Sequence, residues 1–278
     1  MSFFSDRLTS IPPQEVAAAL AGPGYFAVER ALDPAAADAI MADVDDLQVQ
    51  LNRNAPPNVH FKGAIYATHV FARSLTAFQI ATHDWVTGVL RAALGEAFIM
   101  TGKRAYETRS GSYMCFHSDI AKPETEPDRV DSVVFIFYLN DVEQGEWEIL
   151  EGSHRWGETA PPSRENDQAL LGRADAVVHG FRMPKGSLVI YNGRLLHRAS
   201  PYVSDSFARR SLFFQVNRGL KKGEPMLIET GFIRPDLSDD ARMLLGFGRT
   251  PRMPPFPDSV ATHLPGAERK RLLQAEDG

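Results

Sequence analysis

Tyr113-Met114-Cys115-Phe116-His117-Ser118-Asp119 reads as a strand that ends in a metal site. Alternate residues of an extended chain share a face, so Tyr113, Cys115, His117 and Asp119 lie together. An imidazole and a carboxylate two residues apart on that face can grip one ion. His-x-Asp alone is a weak signal, because short matches are common and a surface pair explains them equally well. The rest of the chain has to supply a third ligand.

Gly186-Ser187-Leu188-Val189-Ile190-Tyr191 is a Gly-led, β-rich run that reads as another strand. A turn at Asn192-Gly193 follows, then Leu195-Leu196-His197. The return from His117 to His197 is long enough for several intervening strands of one barrel. His154 competes for the same role, but it sits in Glu151-Gly152-Ser153-His154, where the Gly-Ser pair reads as a structural turn. His197 is therefore the expected third ligand. Two imidazoles and one carboxylate on one side of an ion form the facial triad of non-heme Fe(II) oxygenases, which leaves positions open.

Downstream, Arg209-Arg210-Ser211-Leu212-Phe213-Phe214-Gln215-Val216-Asn217 has strand composition. Arg209 and Ser211 share parity, so a guanidinium fork and a hydroxyl face the same way. That suits a small carboxylate; the plainer reading is a solvated Arg on an edge strand. Arg210 shares parity with Leu212, Phe214 and Val216 and is expected on the opposite face, against a core.

His117-x-Asp119, His197 and Arg209-x-Ser211 together resemble the Fe(II)/2-oxoglutarate dioxygenases. Leu139-Asn140-Asp141, Gly145 and Gly152-Ser153-His154, with Pro184-x-Gly186-Ser187, narrow the resemblance to the phytanoyl-CoA dioxygenase-like branch. Glu151 stands where that branch usually has Pro, Ser187 where it often has Asp, and Ala199 where relatives often have a Ser. The resemblance implies an all-β core with flanking helices (α+β), a double-stranded β-helix (jelly-roll or cupin-like barrel) buttressed by N-terminal helices. It also implies Fe(II) held by His117, Asp119 and His197, and 2-oxoglutarate with its far carboxylate on Arg209 and Ser211. O2 is the oxidant, succinate and CO2 leave, and a C–H bond of a small-molecule substrate is hydroxylated or otherwise oxidised. Related halogenases lack the carboxylate at the Asp119 position, so its presence argues against halogenation.

Composition bounds the rest. The 278 residues suit one oxygenase domain, with N-terminal helical support over 1–96, the β-helix core over 97–217 and a C-terminal extension over 218–278. With 44% hydrophobic and 23% charged residues the chain can bury a sizeable core. A net charge of −5 argues against nucleic acid and anionic membranes as partners. The single Cys115 excludes an intrachain disulfide and fits a reducing, cytoplasmic location. No long apolar run or leader-like segment is evident. A monomer or a homodimer fits equally.

Helices are expected over 14–20, after Asp33-Pro34 with Ile40, Val44, Leu47 and Leu51 on one face, over 84–94, near 239–245 and over 266–274. A short strand is expected over 24–28 and a loop over 52–58. Further strands are expected over 98–100, 112–116, 132–139, 147–150, 176–181, 188–191 and 211–216. The Pro- and charge-rich segment 121–129 reads as a lid or a plain loop. Lys62, His69, Tyr106, Phe137 and Trp147 are candidates to reach a substrate, each with a packing role as its alternative. Two other classes remain open: a cupin-like metal-binding isomerase or small-molecule binder, and a peptide or protein hydroxylase.

Overall fold

The computed structural model describes residues 3–45, 59–60, 65–67, 70–109, 113–121, 126, 128–157, 161–201, 208–219 and 226–247. In chain order the elements are α1 (Asp6–Thr9), α2 (Pro13–Ala21), β1 (Tyr25–Val28), α3 (Pro34–Asp45), β2 (Val59–His60), β3 (Ile65–Ala67), α4 (Leu75–Ala81), α5 (Asp84–Leu94), β4 (Phe98–Arg109), β5 (Tyr113–Met114), β6 (Ser132–Tyr138), β7 (Trp147–Leu150), α6 (Arg164–Leu171), β8 (Val178–Phe181), β9 (Leu188–Asn192), β10 (His197–Ala199), β11 (Ala208–Arg218) and α7 (Asp239–Leu244).

The large sheet runs β1-β9-β6-β11-β4-β3, with every pair antiparallel. A small sheet, β10-β7-β8, lies opposite, and a short β2-β5 ladder adjoins it through a bridge between His117 and His197. This is a double-stranded β-helix with helices on the outside of its large sheet.

Register assigns the two faces. Ser211 lies opposite Tyr106 on one side and Tyr138 on the other, and Tyr191 lies opposite Val134. These side chains share the interior face, where Ile136, Val189 and Phe213 meet Trp147, Ile149 and Phe181 of the small sheet. The alternate residues Phe135, Phe137, Leu188, Ile190, Leu212 and Phe214 form the outer core with Val16, Leu20, Phe78 and Leu90 of the helices. Strand β6 is apolar on both faces and wholly buried, which is why it reads as an unbroken apolar run.

Most expected elements recur within a residue or two, and α5 ends at Gly95 as its pattern implies, with φ +80. Three helices, α1, α4 and α6, were not anticipated. β4 extends well past 98–100, because Lys103, Arg104 and Glu107 interrupt its apolar alternation. Leu47, Leu51, the 52–58 loop and the 266–274 helix lie outside the described residues, as does most of 121–129. No helix among the described residues is long and apolar enough to cross a membrane.

Arg209 and Arg210 point to opposite faces. Arg210 takes the outer one and pairs with Glu107 across the β11-β4 ladder at 2.7 Å. The Arg210 side chain is 31% exposed, so solvent screens the pair. Arg210→Ala is expected to lower stability by about 1 kcal/mol in urea unfolding; an unchanged midpoint would show that the pair contributes nothing.

Candidate metal centre

Two backbone devices assemble the site. His117 and His197 face each other as an antiparallel pair and exchange N–H···O bonds of 3.1 and 2.9 Å. Directly opposed residues project to one side, so both imidazoles enter the same space; their ring centroids are 4.4 Å apart. After β9 the chain turns at Asn192-Gly193, and the Gly193 carbonyl accepts the Asp119 N–H at 2.8 Å. A Cβ on Gly193 would lie 2.6 Å from both Cβ and Oγ of Ser132, so this close approach requires glycine.

One ligand atom from each of His117, Asp119 and His197 lies within 4.8 Å of the others. Both imidazoles are held in one tautomer. Nδ1 of His117 contacts the Cys115 carbonyl at 2.8 Å, and Nδ1 of His197 contacts the Leu195 carbonyl at 2.8 Å. A carbonyl only accepts, so each Nδ1 carries the proton and each Nε2 offers its lone pair. Burial pulls His197 down to about 4, against the opposing charge of Asp119, so at neutral pH no proton competes for that lone pair. The Tyr191 hydroxyl donates to Oδ2 of Asp119 at 2.9 Å and lies 3.4 Å from Nε2 of His197. Burial, reinforced by the Asp119 charge, raises Tyr191 well above its usual value, so it stays a donor.

His154 is not part of the cluster. It is buried in a turn whose Gly152 has φ +71, and its Nε2 lies 3.4 Å from the Ala21 carbonyl. The turn has a use nonetheless: Ser153 Oγ accepts the Leu196 N–H at 2.8 Å and fixes the approach to His197.

Behind the histidines, helix α6 reaches both ligand segments. Asp167 is 2% exposed; its Oδ1 accepts the Phe116 N–H at 2.8 Å and its Oδ2 accepts from Arg198 at 3.0 Å. Arg198 also donates to Glu148 and lies over the Phe116 ring. One carboxylate thus ties the neighbour of each histidine. The charges acting on the buried Cys115 include those of Asp167, Arg164 and Glu165 of α6 and of Arg198, which places its thiol beside α6. The Tyr113 side chain lies outside the described residues.

Further into the barrel, Arg209 is fully buried, donates to the Gly145 carbonyl at 2.6 Å, and lies 5.3 Å from the Trp147 ring and 5.9 Å from that of Tyr106. Ser211 is also fully buried, and among the described residues its Oγ has no hydrogen-bond partner. Ala199 lines the interior, whereas Ser200 turns away to Glu146 at 2.7 Å. Tyr106 and Trp147 face the interior. Phe137 does not: it stacks on Phe4 in the outer core, which rules out its reaching a substrate in the barrel. Lys62 and His69 lie outside the described residues.

Sequence reasoning missed Tyr191 and Asp167. Tyr191 shares strand parity with inward Val189 and precedes the turn to His197, which was a usable signal. Asp167 left none, because a long-range contact to Phe116 has no local pattern.

A family model described as phytanoyl-CoA dioxygenase (PhyH) matches residues 21–211, more than half of the chain. The chain is similar in fold to HygX from Streptomyces hygroscopicus, solved with nickel and 2-oxoglutarate bound. That match has 14% identity, covers 75% of this chain and 88% of that one, and gives a TM-score of 0.59. HygX solved with nickel, 2-oxoglutarate and hygromycin B matches at 15% identity, with 80% and 93% coverage and a TM-score of 0.58. The non-heme α-ketoglutarate-dependent epimerase SnoN from nogalamycin biosynthesis matches at 16% identity, with 74% and 83% coverage and a TM-score of 0.53. No curated protein sequence matches.

Asp167→Ala removes the acceptor shared by the two ligand segments. A loss of about 1–3 kcal/mol in urea unfolding is expected, larger than for Glu148→Ala, which leaves the Phe116 N–H satisfied. Equal losses would show that the Phe116 contact contributes nothing.

Proposed function

The chain belongs to the phytanoyl-CoA dioxygenase (PhyH) family of non-heme iron, 2-oxoglutarate-dependent enzymes, and we propose that it oxidises an unactivated C–H bond of a small molecule, hydroxylation being the expected outcome. The observation that carries this reading is the convergence of His117, Asp119 and His197 within 4.8 Å, with both Nε2 lone pairs free for a metal.

The donor set fits Fe(II): two imidazoles and a carboxylate would hold it. The chemistry of the inner face suits 2-oxoglutarate. Arg209 supplies a permanent charge, and the orphaned Ser211 Oγ supplies a hydroxyl on the same face. When bound, iron and 2-oxoglutarate supply the O2 chemistry and release succinate and CO2.

The chain's own residues position and protect. His117, Asp119 and His197 hold the metal, and Tyr191 holds Asp119 through its 2.9 Å bond. Arg209 and Ser211 fix the far carboxylate. Ile136, Val189, Ile149 and Phe213 fill the barrel interior with apolar side chains, which would keep water from the reacting atoms. Related halogenases lack the carboxylate at the Asp119 position, so its presence favours hydroxylation over halogenation. HygX has been solved with hygromycin B, and SnoN with nogalamycin RO, which supports a small molecule as substrate. SnoN is an epimerase, so product mass is the deciding measurement: hydroxylation adds one oxygen atom and epimerisation adds none.

One Fe(II) per chain is expected by metal analysis. His197→Ala is expected to abolish metal binding and O2-dependent succinate release, while His154→Ala retains both. The reverse pattern would overturn the ligand assignment.

Arg209→Ala is expected to raise the KM for 2-oxoglutarate roughly tenfold to a hundredfold, as for a charge-assisted bidentate contact of about 1.5–3 kcal/mol. Arg210→Ala is expected to leave it unchanged. A large rise in Arg210→Ala alone would reverse the two roles.

A further inference from the structure

The interior carries a second orphaned donor. Trp147 is 4% exposed, and among the described residues its indole Nε1 has no hydrogen-bond partner. Buried indole N–H groups are normally paired, and a donor left unpaired in an apolar interior is costly. Its position is specific. One ring contact runs to His197, stacked at 4.9 Å with an interplanar angle of 28°. Another runs to the Arg209 guanidinium, 5.3 Å from the ring centroid. Trp147 therefore spans the space between a proposed metal ligand and the proposed carboxylate fork.

The groups nearest Trp147 do not serve its N–H. The Tyr138 hydroxyl accepts the Trp147 backbone N–H at 3.2 Å. The Glu146 carboxylate is engaged by Ser200 and Arg182. Arg209 is itself only a donor. Two donors without a partner among the described residues, Trp147 Nε1 and Ser211 Oγ, thus accompany a guanidinium in the barrel interior, a pattern that calls for an anionic guest with several oxygen acceptors.

Resting on the function proposed above, we propose that Trp147 is a cosubstrate-binding residue: its indole N–H donates to an oxygen of 2-oxoglutarate, while its ring face holds the His197 imidazole. One side chain then contacts both the metal ligand and the cosubstrate.

Ni(II) is inert to O2 here and lets binding be read without turnover. The experiment measures Ni(II) affinity, and then 2-oxoglutarate affinity of the Ni(II)-loaded protein, by calorimetry for wild type and Trp147→Phe. Phe retains an aromatic face and removes the donor. The expected result is 2-oxoglutarate binding weakened about three- to tenfold, the range for one neutral hydrogen bond, with Ni(II) affinity within about twofold of wild type. Equal 2-oxoglutarate affinity in both proteins overturns this inference and leaves the proposed function standing. A parallel fall in Ni(II) and 2-oxoglutarate affinity also overturns it, because Trp147 would then only support His197. Failure of the wild type to bind 2-oxoglutarate would instead overturn the proposed function.

Discussion

The reciprocal backbone pair between His117 and His197 is the constraint on which the site depends. It joins the end of β5 to β10, sets the two imidazoles side by side, and is made by the backbone rather than by the rings themselves. Each ring is then locked by the carbonyl two residues before it, Cys115 for one and Leu195 for the other. The same local geometry recurs on both strands, so both rings present the same nitrogen. Asp119 is brought in by a third backbone contact, to Gly193. Little side-chain freedom is left to lose when an ion arrives, which is the physical content of preorganisation.

The two faces of the large sheet do different work. The outer face is packed with Phe135, Phe137, Leu188, Ile190, Leu212 and Phe214 against helices and gains its stability from apolar burial. The inner face gives up part of that gain. It buries Arg209, Ser211, Tyr138, Tyr191 and Trp147, polar groups that an apolar set of equal volume would replace at lower cost. Adjacent arginines illustrate the difference: Arg210 meets Glu107 on the outer side, and Arg209 enters the barrel interior, where it donates to the Gly145 carbonyl.

Support for the ligands comes from a third layer. Asp167 on α6 grips residues adjacent to both histidines, and Ser153 grips the residue before His197. The Gly152-Ser153-His154 turn therefore belongs to the framework of the site even though His154 stands outside the ligand cluster. A helix and a turn brace two short strands that would otherwise be too short to hold a position by pairing alone.

Much of this was legible in the chain itself. The parity of His117 and Asp119, the Gly-led strand before His197 and the shared face of Arg209 and Ser211 are period-2 facts, and a strand cannot evade them. The runs at 132–138 and 188–191 announced buried strands, and Gly95 announced the end of α5. Charged residues hid the length of β4, since Lys103 and Glu107 are paired or enclosed in ways no local pattern reveals. What only the tertiary structure decided is which residues meet. Parity says that Phe137 and Trp147 each face one side of a strand; it does not say which side is the chamber, and Phe137 faced the helices while Trp147 faced His197. The Tyr191 bond to Asp119, the Asp167 bond to Phe116 and the stacking of Trp147 on His197 arise between segments far apart in sequence. Their cause is the closing of the barrel, which brings them within hydrogen-bonding range only once every strand has found its register.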